Sequence, residues 1–184
     1  RYGGPKDVLD HRFLLVYGTS GNPEENAWAF QKARFDAETY WYRGNASVDL
    51  IADTDFTLTA YEDRSLVLYG NATTNSAWTA LLADSPVQVN SDGVRLGDHQ
   101  IEGDDLSTIF VRPRPDSDRA SVVVIAGSGL AGMRATYRQT LFLPFVRFAD
   151  CLVSREGKPI AGGYFGNDWA VDSGEFEFTA PFNQ

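Results

Sequence analysis

The sequence predicts a single α/β domain built on an open, mostly parallel, twisted β-sheet that is flanked by helices. Two observations support this fold class. Apolar runs of strand length alternate with segments of helical periodicity, and the stretch "LLVYGTSGNPEENAW" has a partial counterpart in "LVLYGNATTNSAW" further along the chain. A strand that leads repeatedly into a helix is typical of a parallel sheet, and 184 residues with 43% hydrophobic side chains suffice for one core.

The first strand and the first helix are predicted in residues 13–44. The apolar run "FLLVY" has strand length and begins at Phe13. Asn22 can cap the helix that follows, Pro23 suits its first turn, and Gly44 can end it. Apolar residues recur along this segment at helical spacing, at Ala27, Phe30, Ala33, Ala37, Tyr40 and Trp41.

The later elements include a β-ribbon insertion around residues 86–113. A second strand, "SVDLIAD", precedes it and ends at Asp53. Alternating apolar residues on both sides of "NSDG" predict a hairpin, and they are Val87, Val89, Val94 and Leu96. A strand "TIFVRP" follows and is terminated by Pro113. After it, "SVVVIA" predicts a strand that leads into a helix, and "FVRFAD" at residues 145–150 predicts one more strand.

Composition and charge restrict the partners of the protein. A formal charge of −9, from 16 basic and 25 acidic residues, argues against binding to a nucleic-acid backbone. No apolar run approaches the roughly 18 to 20 residues of a membrane span, so no membrane insertion is expected. Arg112, Arg114 and Arg119 form a small basic cluster, for which a solvated loop is favoured over an anion site.

The start of the chain predicts where the domain begins. The sequence opens at Arg1 without methionine, and "RYGGPKD" is typical of a linker. We therefore expect residues 1–12 to be a linker or N-terminal extension, residues 13–184 to form the domain, and the chain to be part of a longer protein. Cys151 has no cysteine partner, and its apolar surroundings "FADCLV" predict a small buried side chain.

The stretch "GSGLAG" at residues 127–132 is a literal G-x-G-x-x-G after an apolar run. In a dinucleotide-binding turn, Gly127 would turn the chain, Gly129 would admit the pyrophosphate, and Gly132 would let helix and strand approach. Asp150 would then accept a hydrogen bond from a ribose hydroxyl of an adenine dinucleotide. The alternative is a tight strand-to-helix corner. We favour the corner because the motif lies late in the chain and such corners need small residues.

The sequence contains no clear catalytic or metal-binding constellation. The histidine bases available for nucleophilic hydrolysis are His11 and His99, and no G-x-S-x-G elbow occurs. Ser20 and Ser128 lie in glycine-flanked turns, where capping or turn hydrogen bonds are expected. One cysteine and two distant histidines cannot form a zinc set, and the acidic runs match no calcium loop. We therefore name no catalytic residue and no metal ligand.

Aromatic residues near predicted loops mark a candidate interaction patch, formed by Trp78, Tyr164, Phe165 and Trp169. Such a patch would face a carbohydrate or a partner protein. The alternative, which we favour, is that the aromatic residues beside glycines in "GGYFGNDW" plug the end of the sheet.

Five segments together resemble a known type of domain, and they are "FLLVYGTSGNPEENA", "DRSLVLYGNATTNSAW", "IEGDDLSTIFVRP", "SVVVIAGSGLAGMR" and "AGGYFGNDW". Over roughly Phe13 to Trp169, the chain is similar to a bacterial α/β domain that follows the catalytic domain in prolyl-oligopeptidase-like and esterase-like α/β-hydrolase proteins. The resemblance implies a flavodoxin-like fold beside a hydrolase whose catalytic triad lies in the partner domain. It also implies a peptidase or esterase as the parent protein, and export to the periplasm or the exterior would agree with such a companion.

Two hypotheses about function follow. In the first, which we prefer, the chain is a non-catalytic accessory domain without a cofactor. It packs on or orients an α/β-hydrolase catalytic domain in the same chain or in a companion chain. In the second, the chain is a small-molecule or dinucleotide-binding domain that uses the turn at residues 127–132.

Overall fold

The structure, a computed structural model, describes residues 3–10, 12–143 and 148–179. The strands in this part of the chain are β1 (Phe13–Tyr17), β2 (Asp49–Ala52), β3 (Ser65–Tyr69), β4 (Val87–Asn90), β5 (Gly93–Leu96), β6 (His99–Glu102), β7 (Leu106–Pro113), β8 (Ser121–Gly127), β9 (Cys151–Arg155), β10 (Lys158–Tyr164) and β11 (Glu175–Phe178). The α-helices are α1 (Pro23–Gly44), α2 (Ala77–Leu82) and α3 (Leu130–Ala135). None of the helices in these described ranges combines the length and apolar character that a membrane span requires.

The central sheet confirms the predicted fold class. Its order is β11-β10-β9-β7-β8-β3-β1-β2. The strands β2, β1, β3 and β8 pair in parallel, whereas β7 and β10 run opposite to both of their neighbours. Six of these eight described strands therefore point in one direction, and β11 and β2 are the edge strands of the sheet in the described part of the chain. Parallel neighbours cannot be joined by a tight turn and need a long connection, and α1 forms the one between β1 and β2.

The two faces of the sheet are covered differently. Along β1, Phe13 and Leu15 contact the core beneath α1 and α3, while Leu14 and Val16 contact the opposite core. This alternation is the period-two pattern of a strand that is buried on both faces. The opposite core lies beneath α2 and a second, antiparallel sheet of order β4-β5-β6. The domain therefore has three layers, with the large sheet in the middle.

Helix α1 begins as predicted but ends and packs differently. The Asn22 side chain accepts hydrogen bonds from the backbone N–H groups of Glu24 and Glu25, each at 3.0 Å, and Glu25 completes a capping box. At the other end, the left-handed residue is Asn45, with φ 50°, so Gly44 is the last helical residue and not the stop. The buried residues of α1 are Trp28, Ala29, Lys32, Ala33 and Asp36. Phe30 and Trp41, which lie on the predicted apolar face, are 41% and 62% exposed.

The predicted ribbon is shorter than expected. The hairpin around "NSDG" is confirmed, since Val87 pairs with Leu96 and Val89 with Val94. Strand β6 adds to this hairpin, and the ribbon ends there. The strand that Pro113 terminates is β7, which lies inside the large sheet between β8 and β9. Every residue of β7 from Leu106 to Val111 is buried, as expected for a strand in the middle of a sheet that is covered on both faces. In an exposed ribbon, buried and exposed residues would alternate.

Two further segments differ from the sequence prediction. Residues 145–147 of the strand predicted at 145–150 lie outside the described residues, and Phe148 to Asp150 precede β9 without belonging to it. The strand begins at Cys151, which pairs with Phe110 of β7, and Cys151 and Val153 belong to the core on one face of the sheet. Cys151 is fully buried, as predicted, and this burial raises the pKa of its thiol. Within the expected linker, Pro5–Asp10 forms a short 3-10 helix that packs on the sheet.

Candidate functional site

The first candidate site is the sheet edge where the parallel strands end. The carboxyl ends of β1, β3 and β8 meet there, and in open α/β sheets ligands bind in the crevice beside such strand ends. Three connections leave this edge, namely residues 18–22 after β1, residues 70–76 after β3, and residues 128–129 after β8. The site is therefore defined by how these three connections pack on one another.

The connection after β3 covers the connection after β1. The Ser20 N–H donates to the Thr74 carbonyl at 3.0 Å, and the Gly18 N–H donates to the Tyr69 carbonyl at 2.9 Å. A Cβ atom on Gly18 would lie less than 3.0 Å from the Thr74 carbonyl, so the two backbones touch. The crevice between the ends of β1 and β3 is thus filled by the protein's own backbone.

Two buried asparagines hold this arrangement together. The Asn71 amide donates to the Gly127 carbonyl at 2.9 Å and its oxygen accepts from the Thr74 N–H at 3.1 Å, which links the ends of β3 and β8. The Asn75 amide donates to the Tyr69 carbonyl at 3.1 Å, and to the end of β1 at 3.3 Å. Because both amides bind backbone groups of the fold, their role is to fix the three connections.

Asp53 also stabilises the connections at this sheet edge. It is 3% exposed, accepts a hydrogen bond from the Thr19 hydroxyl at 2.6 Å, and accepts another from the Ser76 N–H. The Asp53 carboxylate is therefore not solvated, and it anchors the connection after β3. No group of three potential metal ligands occurs in residues 3–10, 12–143 and 148–179.

The three glycines of "GSGLAG" are packed against neighbouring backbone. Added Cβ atoms would approach the backbone of Met133 at Gly127, of Asp104 at Gly129, and of Leu106 at Gly132, each at less than 3.0 Å. Ser128 exchanges two hydrogen bonds with the Leu106 backbone, at 2.9 and 3.0 Å. The three glycines therefore lie in close contact with the start of α3 and with the segment that leads into β7.

Asp150 lies away from this turn. Gly127 is level with Ser107 in β7, whereas the Asp150 carbonyl accepts from the Val111 N–H at 2.8 Å. Four residues along a strand span about 13 Å. The Asp150 side chain instead accepts from the Phe165 N–H at 3.2 Å, and burial raises its pKa. The structure therefore separates Asp150 from the three glycines, because it precedes β9 instead of ending a parallel strand.

The four aromatic residues of the predicted patch are not brought together on one surface. Trp78 lies in α2, is 2% exposed, and donates from Nε1 to Gln88 at 2.9 Å. Phe165 and Trp169 are half-buried and contact each other with tilted rings, whose centroids are 5.9 Å apart. Tyr164 is 55% exposed. Trp78 is thus unavailable as a surface residue, because α2 turns it into the core.

The basic cluster is also more buried than expected. The Arg112 guanidinium lies 5.0 Å from the Phe165 ring and 5.6 Å from the Trp169 ring, and burial lowers its pKa to about 10. Arg114 is 1% exposed and donates to backbone carbonyls of the 58–64 segment, at 3.0 Å to Leu58. Only Arg119 has the predicted solvent exposure. The solvated-loop interpretation is wrong for Arg114, which ties two connections together through charge-assisted hydrogen bonds.

The candidate nucleophiles and bases do not form a catalytic set. Ser128 is fully buried against Leu106, and Ser20 is exposed at the turn after β1. His99 lies in β6 with its ring 4.5 Å from that of Phe178. His11 lies outside the described residues. The serines and His99 thus occupy separate elements, so that no serine–histidine pair is assembled from them.

A buried charged cluster that the sequence pattern did not predict lies under α1. Lys32 Nζ lies 2.7 Å from Asp36 Oδ1, and the Tyr69 hydroxyl donates to Asp36 Oδ2 at 3.0 Å. All three side chains are buried. Burial raises the pKa of Asp36 and, together with the Asp36 charge, raises the pKa of Tyr69. The one sequence signal was the four-residue spacing of Lys32 and Asp36, which places both on one side of a helix.

The second candidate site is the solvent-facing side of α1. We call it the aromatic face, and its exposed residues are Phe30, Phe35, Trp41, Tyr42 and, from the turn after α3, Tyr137. A groove of about 390 Å³ runs along it between the second half of α1 and residues 140–143. Exposed apolar patches of this kind mark interaction surfaces in soluble proteins.

Comparison with known proteins assigns no family to the chain. No protein-family model matches the chain, and no curated protein has a significantly similar sequence. The class of the protein is thus defined by its fold, an open three-layer α/β domain, and by the geometry of the two candidate sites.

Proposed function

We propose that this chain is a non-catalytic accessory domain that packs on and orients an α/β-hydrolase catalytic domain, in the same chain or in a companion chain. The observation that carries the proposal is the filled sheet edge. In an open α/β sheet this edge is where a cofactor or substrate would bind, and here its connections pack closely on one another, with Gly18 against the Thr74 backbone and Gly129 against the Asp104 backbone.

The aromatic face also supports this proposal. A domain whose own ligand crevice is closed, but whose longest helix exposes four large aromatic side chains, has the features of a binding module. We further propose that the parent protein is a bacterial peptidase or esterase of the prolyl-oligopeptidase-like or esterase-like type, in the periplasm or outside the cell. The sequence resemblance is the basis for this part.

The proposal is tested by assaying the purified chain with nitrophenyl esters and with a proline-containing nitroanilide peptide. We expect no hydrolysis by the chain alone. Added to the hydrolase catalytic domain encoded with it, the chain should form a complex and change that enzyme's kcat/KM. Hydrolysis by the isolated chain that Ser20→Ala removes, and that the matched exposed variant Ser91→Ala retains, would overturn the accessory role.

Dinucleotide binding remains a second candidate, because the G-x-G-x-x-G turn does lie between β8 and α3. A thermal-shift titration with NAD, NADP, FAD, FMN and ATP distinguishes the two interpretations of the turn. For a structural corner, no nucleotide raises Tm, and Gly132→Ala lowers Tm without any nucleotide by crowding the Leu106 carbonyl. A rise in Tm that Gly129→Val abolishes would establish nucleotide binding instead.

A further inference from the structure

The large sheet continues beyond the helices that cover it. On the face that carries α1 and α3, the helices pack mainly on β1, β2, β3, β7 and β8. The next three strands, β9, β10 and β11, leave a groove of about 430 Å³. We call it the hairpin groove, because most of its lining belongs to the hairpin of β10 and β11. Its volume is in the range of binding clefts.

The strand register shows which face of the sheet the hairpin groove occupies. Leu152, Gly162 and Glu177 are level with one another in the three strands, and Tyr164 is level with Glu175. Side chains of successive residues in a strand point to opposite faces, and several strand neighbours of these residues belong to the opposite core. The five residues therefore lie on the face that carries α1 and α3, where Leu152 packs against the core.

The floor of the hairpin groove is apolar. Leu152 is half-buried there, and Pro159 and Ile160 also line the groove. Tyr164 is 55% exposed, and among the described residues it is the one large exposed apolar side chain outside the aromatic face. An antiparallel part of a sheet that faces water normally presents polar side chains. This floor therefore has the character of a surface that packs against another element.

One wall of the hairpin groove is acidic. Glu175 and Glu177 project from β11 into the lining, and neither forms an ion pair among the described residues. Residues 159–179 include four acidic residues and no basic one, so this segment contributes −4 to the formal charge of −9. The acidic wall thus has no basic residue within its own hairpin.

The basic residues near the turn between β9 and β10 point elsewhere. Arg155 binds Asp105 at 3.0 Å, on the side of the second sheet. Lys158 is level with Arg155 and shares that side. Arg138 donates to the Glu156 carbonyl at 3.3 Å, at the turn itself. The level of Gly162 and Glu177 in the groove is four residues from Glu156, or about 13 Å along the strand.

At the other end of the groove, Arg112 is enclosed by aromatic rings. Its guanidinium lies 5.0 Å from the Phe165 ring and 5.6 Å from the Trp169 ring, and it donates to the Trp169 carbonyl. Among the described lining residues, the ionised groups are therefore the carboxylates of Glu175 and Glu177. Because opposite charges attract, this lining favours a positively charged partner over an acidic one.

From these observations we propose that the hairpin groove binds a helix of a partner protein, whose apolar stripe packs on Leu152 and Tyr164 and whose lysine or arginine side chains pair with Glu175 and Glu177. This inference rests on the proposed accessory function, for which it supplies a docking surface. A helix in the groove would extend the layer formed by α1 and α3. Strands β9 and β10 have five and seven residues, or about 17 to 23 Å, which is the length of three to four helical turns.

A second copy of the chain fits this groove less well. Two copies that paired symmetrically through the hairpin groove would bring the four carboxylates of Glu175 and Glu177 together. Like charges at an interface repel one another, and charged side chains on an edge strand also hinder pairing between copies. The occupant is therefore a basic partner and not the chain itself.

The test uses two labelled helical peptides of about four turns. One has leucine at every third or fourth position and lysine elsewhere, and the other has glutamate in place of each lysine. Fluorescence anisotropy in about 0.15 M salt should show that the chain binds the lysine peptide and binds the glutamate peptide at least about tenfold more weakly. Tyr164→Ala should weaken the binding of the lysine peptide by about tenfold.

Charge-matched controls are needed because the whole chain is acidic. The double variant Glu175→Gln, Glu177→Gln removes two charges from the groove and should weaken binding of the lysine peptide by about tenfold or more. The double variant Glu62→Gln, Glu102→Gln removes two charges from exposed glutamates elsewhere and should weaken it by less than about twofold. Tyr42→Ala, in the aromatic face, should leave the affinity unchanged.

Three results would overturn the proposal. Equal weakening by the two double variants would mean that the charge of the whole chain attracts the peptide. An equal loss in Tyr42→Ala and Tyr164→Ala would mean that exposed aromatic side chains bind it without regard to place. Dimerisation of the chain that Tyr164→Ala abolishes would mean that the occupant is a second copy.

The failure of this inference is distinguishable from failure of the proposed function. Hydrolysis by the isolated chain would overturn the accessory role whatever the peptides do. Absence of selectivity for the lysine peptide, in a chain without hydrolytic activity, would overturn the hairpin groove as a docking surface and leave the accessory role standing.

Discussion

The two sides of α1 invert the usual distribution of polar and apolar residues. On the side that faces the sheet, Lys32 and Asp36 are 0% and 2% exposed, whereas on the solvent side Trp41 and Tyr42 are 62% and 79% exposed. Each side also has one ion pair between residues four positions apart, and both pairs have the same N–O distance of 2.7 Å. The helix thus offers two nearly identical contacts in opposite environments.

The surroundings of an ion pair, and not its N–O distance, decide how much it contributes to the stability of the fold. The exposed pair of Arg34 and Glu38 competes with water and stabilises the fold by only about 0.3 to 0.5 kcal/mol. The buried pair has lost its hydration, and its cost is offset by the mutual attraction, the Tyr69 hydroxyl and the Gln139 carbonyl. Removing one partner of the buried pair should therefore be far more damaging.

The largest predicted effect is that of Asp36→Ala. This change leaves the Lys32 ammonium and the Tyr69 hydroxyl buried without a carboxylate, and we expect the free energy of unfolding to fall by about 3 to 5 kcal/mol. Urea denaturation followed by far-UV circular dichroism measures it. The matched variant Glu38→Ala, which breaks the exposed pair, should cost less than about 0.5 kcal/mol.

The triple variant Lys32→Met, Asp36→Leu, Tyr69→Phe extends this test. It replaces the whole polar cluster by apolar side chains of similar size, so most of the stability lost in Asp36→Ala should return. If Asp36→Ala and Glu38→Ala had equal effects, the buried cluster would have no special energetic role.

The next effect concerns Tyr69 and pH. Burial raises the pKa of Tyr69 well above its ordinary value of 10.0. Above about pH 10 the unfolded chain therefore releases this proton while the folded chain keeps it, so the stability contribution of Tyr69 is complete at lower pH and is lost as pH rises. The free energy of unfolding of the wild type should consequently fall more steeply above about pH 10 than that of Tyr69→Phe. Parallel pH profiles of the two proteins would contradict this.

At neutral pH, Tyr69→Phe should cost about 1 to 2 kcal/mol, because Asp36 loses one hydrogen bond but keeps Lys32. Urea titration at pH 7 measures this difference. A cost as large as that of Asp36→Ala would show that the hydrogen bond from Tyr69, and not the ion pair with Lys32, is the contact on which the buried carboxylate depends.

Local features of the fold were predictable from the sequence. The Asn22 cap, the hairpin around "NSDG" and the tight corner at Gly127 each depend on a few neighbouring residues. The parallel direction of the first strands was predictable from the alternation of apolar runs and helical segments. The position of β7 in the large sheet did not follow, because strand neighbours are chosen by contacts between distant segments.

The candidate sites were less predictable. The burial of Lys32 and Asp36 in α1 depends on Tyr69, which lies in β3 and is distant in the sequence. Helical spacing alone predicted that Phe30 and Trp41 face the core, whereas both are exposed. Asp150 has the right sequence distance from Gly132 for a dinucleotide fingerprint, but the antiparallel β7 places it in a different part of the sheet. A pattern along the chain cannot show where strand direction reverses.

A smaller effect is expected beside the buried cluster, at Gln139. Both polar atoms of its side chain are buried without a hydrogen-bond partner among the described residues. Gln139→Met has a similar volume and removes this unsatisfied amide, so we expect the free energy of unfolding to rise by about 1 kcal/mol. The exposed Gln100→Met in β6 is the control and should change little. A loss of stability in Gln139→Met would mean that water satisfies the amide in solution.

The smallest effect is predicted on the solvent side of α1. Trp41→Ala removes mostly exposed surface, so the free energy of unfolding should change by less than about 0.5 kcal/mol. The matched variant is Trp28→Ala on the other side of the same helix, where the indole is 4% exposed and its loss should cost about 3 kcal/mol or more. Thermal or urea unfolding of both variants measures the contrast. If Trp41→Ala were as destabilising as Trp28→Ala, its ring would serve the fold and could not be reserved for a partner. An unchanged free energy of unfolding in Trp41→Ala means instead that folding does not require this side chain. A side chain that serves binding meets this condition, because its contacts form only with the partner.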